Sequence, residues 1–118
     1  MMDYEVLLAS EAERCIDEQL VWYEADDANG GIELADRWMD QLEPVLESLV
    51  RHPERHGLAP ENGRWMPEFS VRQMRFKPWT TPLVWRILFV IDHDAKRVTV
   101  LQIRHEKRPL LHDGGSGQ

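Results

Sequence analysis

The stretch LVWRILFVIDHDAKRVTVLQIR, at residues 83–104, decides the fold. Two runs rich in β-branched, leucine and aromatic residues flank a short polar link at residues 92–96, and this pattern predicts an antiparallel β-hairpin. The first run, residues 83–91, is apolar on both faces apart from Arg86. A strand of that kind belongs in the middle of a sheet, where helices cover at least one of its faces.

Two segments on the N-terminal side of this hairpin extend the sheet. Residues 69–76, FSVRQMRF, alternate as a strand does and precede the hairpin in the chain. Three consecutive strands of this kind, with the last at residues 97–104, predict an antiparallel meander. The short apolar run DYEVLL at residues 3–8 predicts one further strand at the start of the chain.

Two amphipathic helices are predicted between the first strand and the meander. Residues 10–13, Ser-Glu-Ala-Glu, match a capping box and begin a helix that we expect over residues 11–26. A glycine pair at residues 30–31 favours a chain reversal. A second apolar stripe then runs as far as Val50, and we expect a kink or break near residues 40–44 because Pro44 removes a helical hydrogen bond.

The predicted fold class is therefore α+β, in the order β-α-α-β-β-β. A helical hairpin packs on one face of a small, mainly antiparallel sheet, and the other face is left open to a ligand or partner. The length of 118 residues fits one domain, which we place at residues 1–112. Residues 113–118, DGGSGQ, have the composition of a flexible tail.

Composition predicts a cytoplasmic protein that has no membrane partner. Cys15 is the one cysteine in the chain, which excludes an internal disulfide and agrees with a reducing compartment. The sequence has no apolar run of eighteen residues, and its N-terminus carries acids where a signal peptide would carry basic residues.

The charge is divided between the two halves of the chain. Residues 1–62 hold four arginines and sixteen acids, whereas residues 63–118 hold ten basic residues and five acids, and the formal net charge is −7. A net acidic chain is a poor candidate for general nucleic-acid binding. The division favours one acidic and one basic surface, of which the second would meet an anionic partner. The plainer interpretation is that acids collect on solvated helices.

Basic residues cluster on the three strands of the predicted meander. We predict a phosphate-binding or target-binding site there because guanidinium groups hold phosphate and carboxylate groups with paired hydrogen bonds. The residues assigned to it are Arg72, Arg75, Arg86, Arg104 and Arg108. No cofactor is predicted. A metal site is not predicted either, because His52 and His56 lack a third ligand at the expected spacing.

A catalytic role is a narrower hypothesis about the same strands. If the ligand were RNA, His105 would transfer protons and Arg86 would stabilise the developing phosphorane charge, so both would be catalytic in a nuclease. Two plainer interpretations stay open. His105 is a solvated surface residue in the first, and Arg86 forms a structural ion pair with a helix carboxylate in the second.

Three segments in this order resemble the RelE/ParE superfamily of toxins from bacterial type II toxin-antitoxin systems, also known as plasmid stabilisation proteins. They are VRQMRF at 71–76, WRILFVID at 85–92 and VTVLQIRHEKRPLL at 98–111. The resemblance implies a growth-inhibiting toxin held inactive by a cognate antitoxin, a protein that would wrap the toxin and cover its basic face. By the same resemblance, Arg86 maps onto the arginine that contacts the scissile phosphate in the nuclease branch.

The family contains two mechanisms, and the sequence favours one without excluding the other. RelE-like members cleave messenger RNA on the ribosome without a metal, whereas ParE-like members poison DNA gyrase with no known catalytic residue. The ending IRHEKR at residues 103–108 and the acidic net charge are closer to the ParE side. A third alternative is an inactive toxin-fold protein that only binds a partner. A homodimer and a hetero-oligomer with the antitoxin are both open.

Overall fold

The computed structural model describes residues 3–26, 28, 30–65, 68–78 and 84–107. Its elements follow the predicted order of one strand, two helices and three strands. The strands are β1 (Glu5–Leu8), β2 (Arg72–Phe76), β3 (Trp85–Asp92) and β4 (Arg97–His105), and the helices are α1 (Ser10–Glu24) and α2 (Gly31–Glu47). The predicted tail at residues 113–118 lies outside the described residues.

The strands form one sheet in the order β1-β4-β3-β2. The three strands of the meander pair antiparallel, and β1 pairs parallel to β4. This arrangement confirms the predicted α+β fold with a mainly antiparallel sheet. The strand predicted to be central, β3, lies between β2 and β4, and its residues 85–89 are all buried.

The two helices differ from their predictions in detail. α1 begins at Ser10 with extended Ala9 before it, and no side chain caps it, so the predicted capping box does not form. α2 continues through Pro44 to Glu47, so the predicted break is wrong. Pro44 lies in the last turn of α2, so the single hydrogen bond that it removes is close to the C-terminal end of the helix.

One face of the sheet packs against the helices, and we call it the helix face. Its core joins Trp38 of α2 to aromatic and aliphatic residues of the strands. The Trp38 ring lies 5.8 Å from that of Phe76 and 5.6 Å from that of Trp85 between centroids, both edge to face. This geometry is favourable for aromatic pairs, and it fixes the helical hairpin on the sheet.

The opposite face, which we call the loop face, is not open as the sequence predicted. Residues 57–65 cross it and form a second, smaller core in which Ala59 packs with Val71 and Leu88, all three buried. The Ala59 amide donates a hydrogen bond to the Val71 carbonyl at 2.8 Å, which holds this loop beside β2.

Among the described residues, no helix is long and apolar enough to cross a membrane.

Candidate arginine site

Three of the predicted arginines form a row across the loop face. Arg75 of β2 lies opposite Arg86 of β3, and Arg86 lies opposite Arg104 of β4. Residues directly opposite each other on neighbouring strands share a face of the sheet, so the three residues, which we call the arginine row, are side by side. Like charges in this position repel, so the row needs counter-charges if it is to fold.

Arg86 finds its counter-charge in the loop. Its Nη1 and Nη2 donate to Oε1 and Oε2 of Glu61 at 2.9 and 2.6 Å, and Nη1 also donates to Oε1 of Gln73 at 2.9 Å. The side chains of Arg86 and Glu61 are 5% and 0% exposed. This two-pronged geometry is the strongest arrangement for a guanidinium and a carboxylate. The structural ion pair is therefore formed, with a loop carboxylate instead of the helix carboxylate considered in the sequence analysis.

Backbone contacts hold Glu61 over the row. Its carbonyl accepts hydrogen bonds from the amides of Arg64 and Trp65, each at 3.0 Å. Next to it, Oδ1 of Asn62 accepts from the Val71 amide at 2.8 Å and anchors the turn to the start of β2. A buried charge is tolerated only with such a complete set of partners. The loop therefore places a carboxylate on Arg86 in a fixed position.

Arg72 lies on the other face of the sheet. It pairs in register with Phe89, a core residue of the helix face, whereas Arg86 belongs to the loop face. Its Nη1 donates to the carbonyl oxygens of His56 at 2.6 Å and Glu54 at 3.1 Å. The sheet therefore lies between the side chains of Arg72 and Arg86, and the structure does not bring these two arginines of the predicted site together.

His105 is also separated from Arg86. It lies opposite Trp85 in register, and its ring packs against the Trp85 ring at 5.2 Å between centroids, on the helix face. Its Nδ1 accepts a hydrogen bond from the Lys107 amide at 3.1 Å. The structure thus does not bring the predicted catalytic pair together on one surface.

The other predicted site residues differ in accessibility. The Arg75 side chain is 66% exposed and lies 3.1 Å from Oε1 of Glu106. Arg104 is buried, and its Nη1 lies 3.5 Å from Oε1 of Gln102. Arg108 lies outside the described residues. Binding of a phosphate or a protein target by these arginines stays a prediction, and Arg75 is the member of the row that solvent reaches most easily.

Several solved structures are similar to this chain. A chain from the chromosomal ParDE TA system of P. aeruginosa matches with a TM-score of 0.61 at 17% identity, over 86% of this chain and 95% of that one. This chain shares its fold with that chain of the ParDE system. The archaeal RelE-RelB complex from Pyrococcus horikoshii OT3 (12% identity, 92% and 100% coverage) and the toxin-antitoxin complex RelBE2 from Mycobacterium tuberculosis (18%, 90% and 94%) each match with a TM-score of 0.44. No protein-family model and no curated protein matches the sequence.

Within this fold, sequence reasoning missed Glu61. The residues around it, Pro60, Asn62 and Gly63, are typical of an exposed turn. The sequence therefore does not indicate that the Glu61 carboxylate is fully buried. Arg86 was the residue from which a buried acid could have been predicted, because a guanidinium in a central apolar strand requires an acid nearby.

Among the described residues, no three His, Cys, Asp or Glu side chains are grouped to hold a metal ion.

The surroundings of His56 predict that the stability of the chain depends on pH. Burial, followed by the positive charges of Arg55 and Arg72, lowers the pKa of His56 below its ordinary value. The unfolded chain therefore takes up the proton first as pH falls. Stability is fully present above the ordinary imidazole pKa of about 6.5 and decreases as pH falls through that value towards the folded-state pKa.

We expect the urea midpoint of the wild type to fall more steeply than that of His56→Gln as the pH is lowered from about 7.5 to about 5.5, roughly one unit either side of the ordinary imidazole pKa. Urea unfolding followed at several pH values makes the comparison. The variant is the control for all other titrating groups. Parallel pH profiles for the two proteins would contradict the prediction.

Proposed function

We propose that this protein is the toxin of a type II toxin-antitoxin module, neutralised by a cognate antitoxin, and that it acts in the cytoplasm in a ParE-like manner on a target such as DNA gyrase. The observation that carries the proposal is the match of nearly the whole chain to a chain of a ParDE system at a TM-score of 0.61. The antitoxin partner is inferred because the similar structures are toxin-antitoxin systems.

The site geometry favours binding over RNA cleavage. A nuclease that uses Arg86 and His105 needs both groups within reach of one phosphate, yet they lie on opposite faces of the sheet. Arg86 is in addition held by Glu61 with both of its terminal nitrogens. Catalysis by Arg86 would require the loop at residues 57–65 to move away and leave the Arg86 charge without its Glu61 partner. Inhibition by binding requires only an exposed surface that fits the target.

Expression in a bacterial host without an antitoxin tests the proposal. We expect growth arrest with gyrase-linked DNA breaks, and we expect His105→Ala to arrest growth as the wild type does. Arg75→Glu should weaken the arrest at equal soluble protein level, because it reverses the charge of the most exposed member of the arginine row. Arg51→Glu, at another exposed arginine that lies outside the row, is the matched control.

Two outcomes would contradict the proposal, and each favours one alternative. Codon-specific messenger cleavage that disappears in His105→Ala would establish a RelE-like endoribonuclease. A folded, abundant protein that neither arrests growth nor damages DNA or messenger RNA would favour an inactive toxin-fold binding protein. His93→Ala, at an exposed loop histidine, controls for nonspecific effects of removing a histidine.

A further inference from the structure

α1 exposes two large apolar side chains side by side. Val21 and Trp22 are each 64% exposed. The Trp22 ring packs edge to face on that of Tyr23 at 5.4 Å between centroids, and Tyr23 is itself buried against the Trp38 ring at 6.3 Å. One side of the Trp22 ring thus packs on a buried residue, while the rest of the side chain is exposed to solvent. An exposed tryptophan that packs on a buried ring is a residue type that often anchors a protein interface.

Two hollows lie on either side of Trp22. The first, of about 440 Å³, is lined by Asp17, Glu18, Val21, Trp22 and Ala25. The second, of about 220 Å³, lies between α1 and the sheet and is lined by Cys15, Glu18, Gln19, Trp22, Trp85 and Ile103. Because both share Glu18 and Trp22, they form one continuous surface, which we call the Trp22 surface. Apolar side chains of a partner would fit on either side of the indole.

The charge around this surface is strongly negative. The hairpin at residues 10–47 holds twelve acids and two arginines. Of the two arginines, Arg14 lies near the surface, and its Nη2 is 2.6 Å from Glu11 while its Nε is 4.0 Å from Glu18. Arg14 therefore compensates only part of the local charge. The carboxylates of Asp17 and Glu18 make the rim of an apolar patch, which is a surface that attracts cations.

We propose that the Trp22 surface docks a short amphipathic partner segment that carries lysine or arginine beside apolar anchors. The anchors occupy the two hollows, and the cations meet the acidic rim. On the proposed function, this segment belongs to the antitoxin. It would then bind the acidic helical hairpin, in contrast to the expectation that the antitoxin covers the basic face.

Selection of binders from a displayed library of random 12-residue peptides, with the full chain as bait, tests this inference. We expect enrichment of peptides that combine net positive charge with large apolar residues. Affinity of the enriched peptide should fall at least about tenfold for Trp22→Ser, the effect of losing an interface anchor. It should also fall for Glu18→Lys. Ile32→Ser and Glu33→Lys are the controls and should bind as the wild type does, because they change an exposed apolar and an acidic residue outside the two hollows.

Cys15 provides an independent readout of occupancy. It is the only cysteine of the chain and lines the second hollow, so a bound peptide should slow its alkylation several-fold. Enrichment of acidic peptides, absence of enrichment, or binding that survives Trp22→Ser without protecting Cys15 would overturn the inference. The assay uses purified protein and does not depend on toxicity, so its failure is distinguishable from failure of the proposed function.

Discussion

Replacement of Glu61 with alanine is expected to lower the free energy of unfolding by about 3–5 kcal/mol, the usual effect of removing one partner of a buried ion pair. The reason is that Arg86 would keep its charge at 5% side-chain exposure without a carboxylate to accept its two hydrogen bonds. Its neighbours in register, Arg75 and Arg104, would add repulsion. Urea unfolding, with the slope compared between variants, measures the effect.

Two matched variants separate the buried pair from charge in general. Glu106→Ala removes the partner of exposed Arg75 and should cost about 0–1 kcal/mol, as surface pairs do. The double variant Glu61→Leu with Arg86→Met removes both charges and should recover most of the loss, because apolar replacements of a buried pair are often neutral. A cost below about 1 kcal/mol for Glu61→Ala would mean that the loop does not hold its carboxylate on Arg86 in solution.

Trp38→Ala is expected to destabilise the protein by about 3–5 kcal/mol, as large core aromatic residues do when truncated. Trp38 is 0% exposed and contacts the rings of Phe76 and Trp85, so its removal opens a cavity between α2 and the sheet. Thermal and urea unfolding measure the loss.

An exposed tryptophan is the natural control for this variant. Trp22→Ala should change stability by less than about 0.5 kcal/mol, as surface substitutions usually do. Trp38→Phe should cost clearly less than Trp38→Ala, because within the part of the chain that the structure describes the buried indole nitrogen has no hydrogen-bond acceptor to lose. Equal losses for Trp38→Ala and Trp22→Ala would contradict the placement of the core.

The order of elements could be predicted because hydrophobic periodicity changes clearly between the two halves of the chain. The apolar run at 83–91 required a central strand, and β3 is central. The stripe ending at Val50 required a helix against the sheet, and Trp38 of that stripe is fully buried. These predictions depend on local pattern and on the need to bury apolar surface, both of which one sequence contains.

The arrangement of the site depended on register and on long-range pairing. The sequence was sufficient to predict that Arg72 and Arg75 lie on opposite faces of the sheet, because residues three apart on a strand point to opposite faces. The partnership of Glu61 with Arg86 was not, since 25 residues separate them and no periodicity marks the loop. Nor did the sequence reveal Trp22, because the apolar stripe of α1 passes through Tyr23 and leaves its neighbour on the polar side.

We propose that Arg86 serves the structure and that growth inhibition, on the proposed function, does not use it. The most direct measurement expresses the double variant Glu61→Leu with Arg86→Met in a bacterial host without an antitoxin, after its folding has been verified by urea unfolding. We predict that it still arrests growth and still causes gyrase-linked DNA breaks at wild-type protein level. A folded double variant that no longer arrests growth, while the wild type does, would contradict the account.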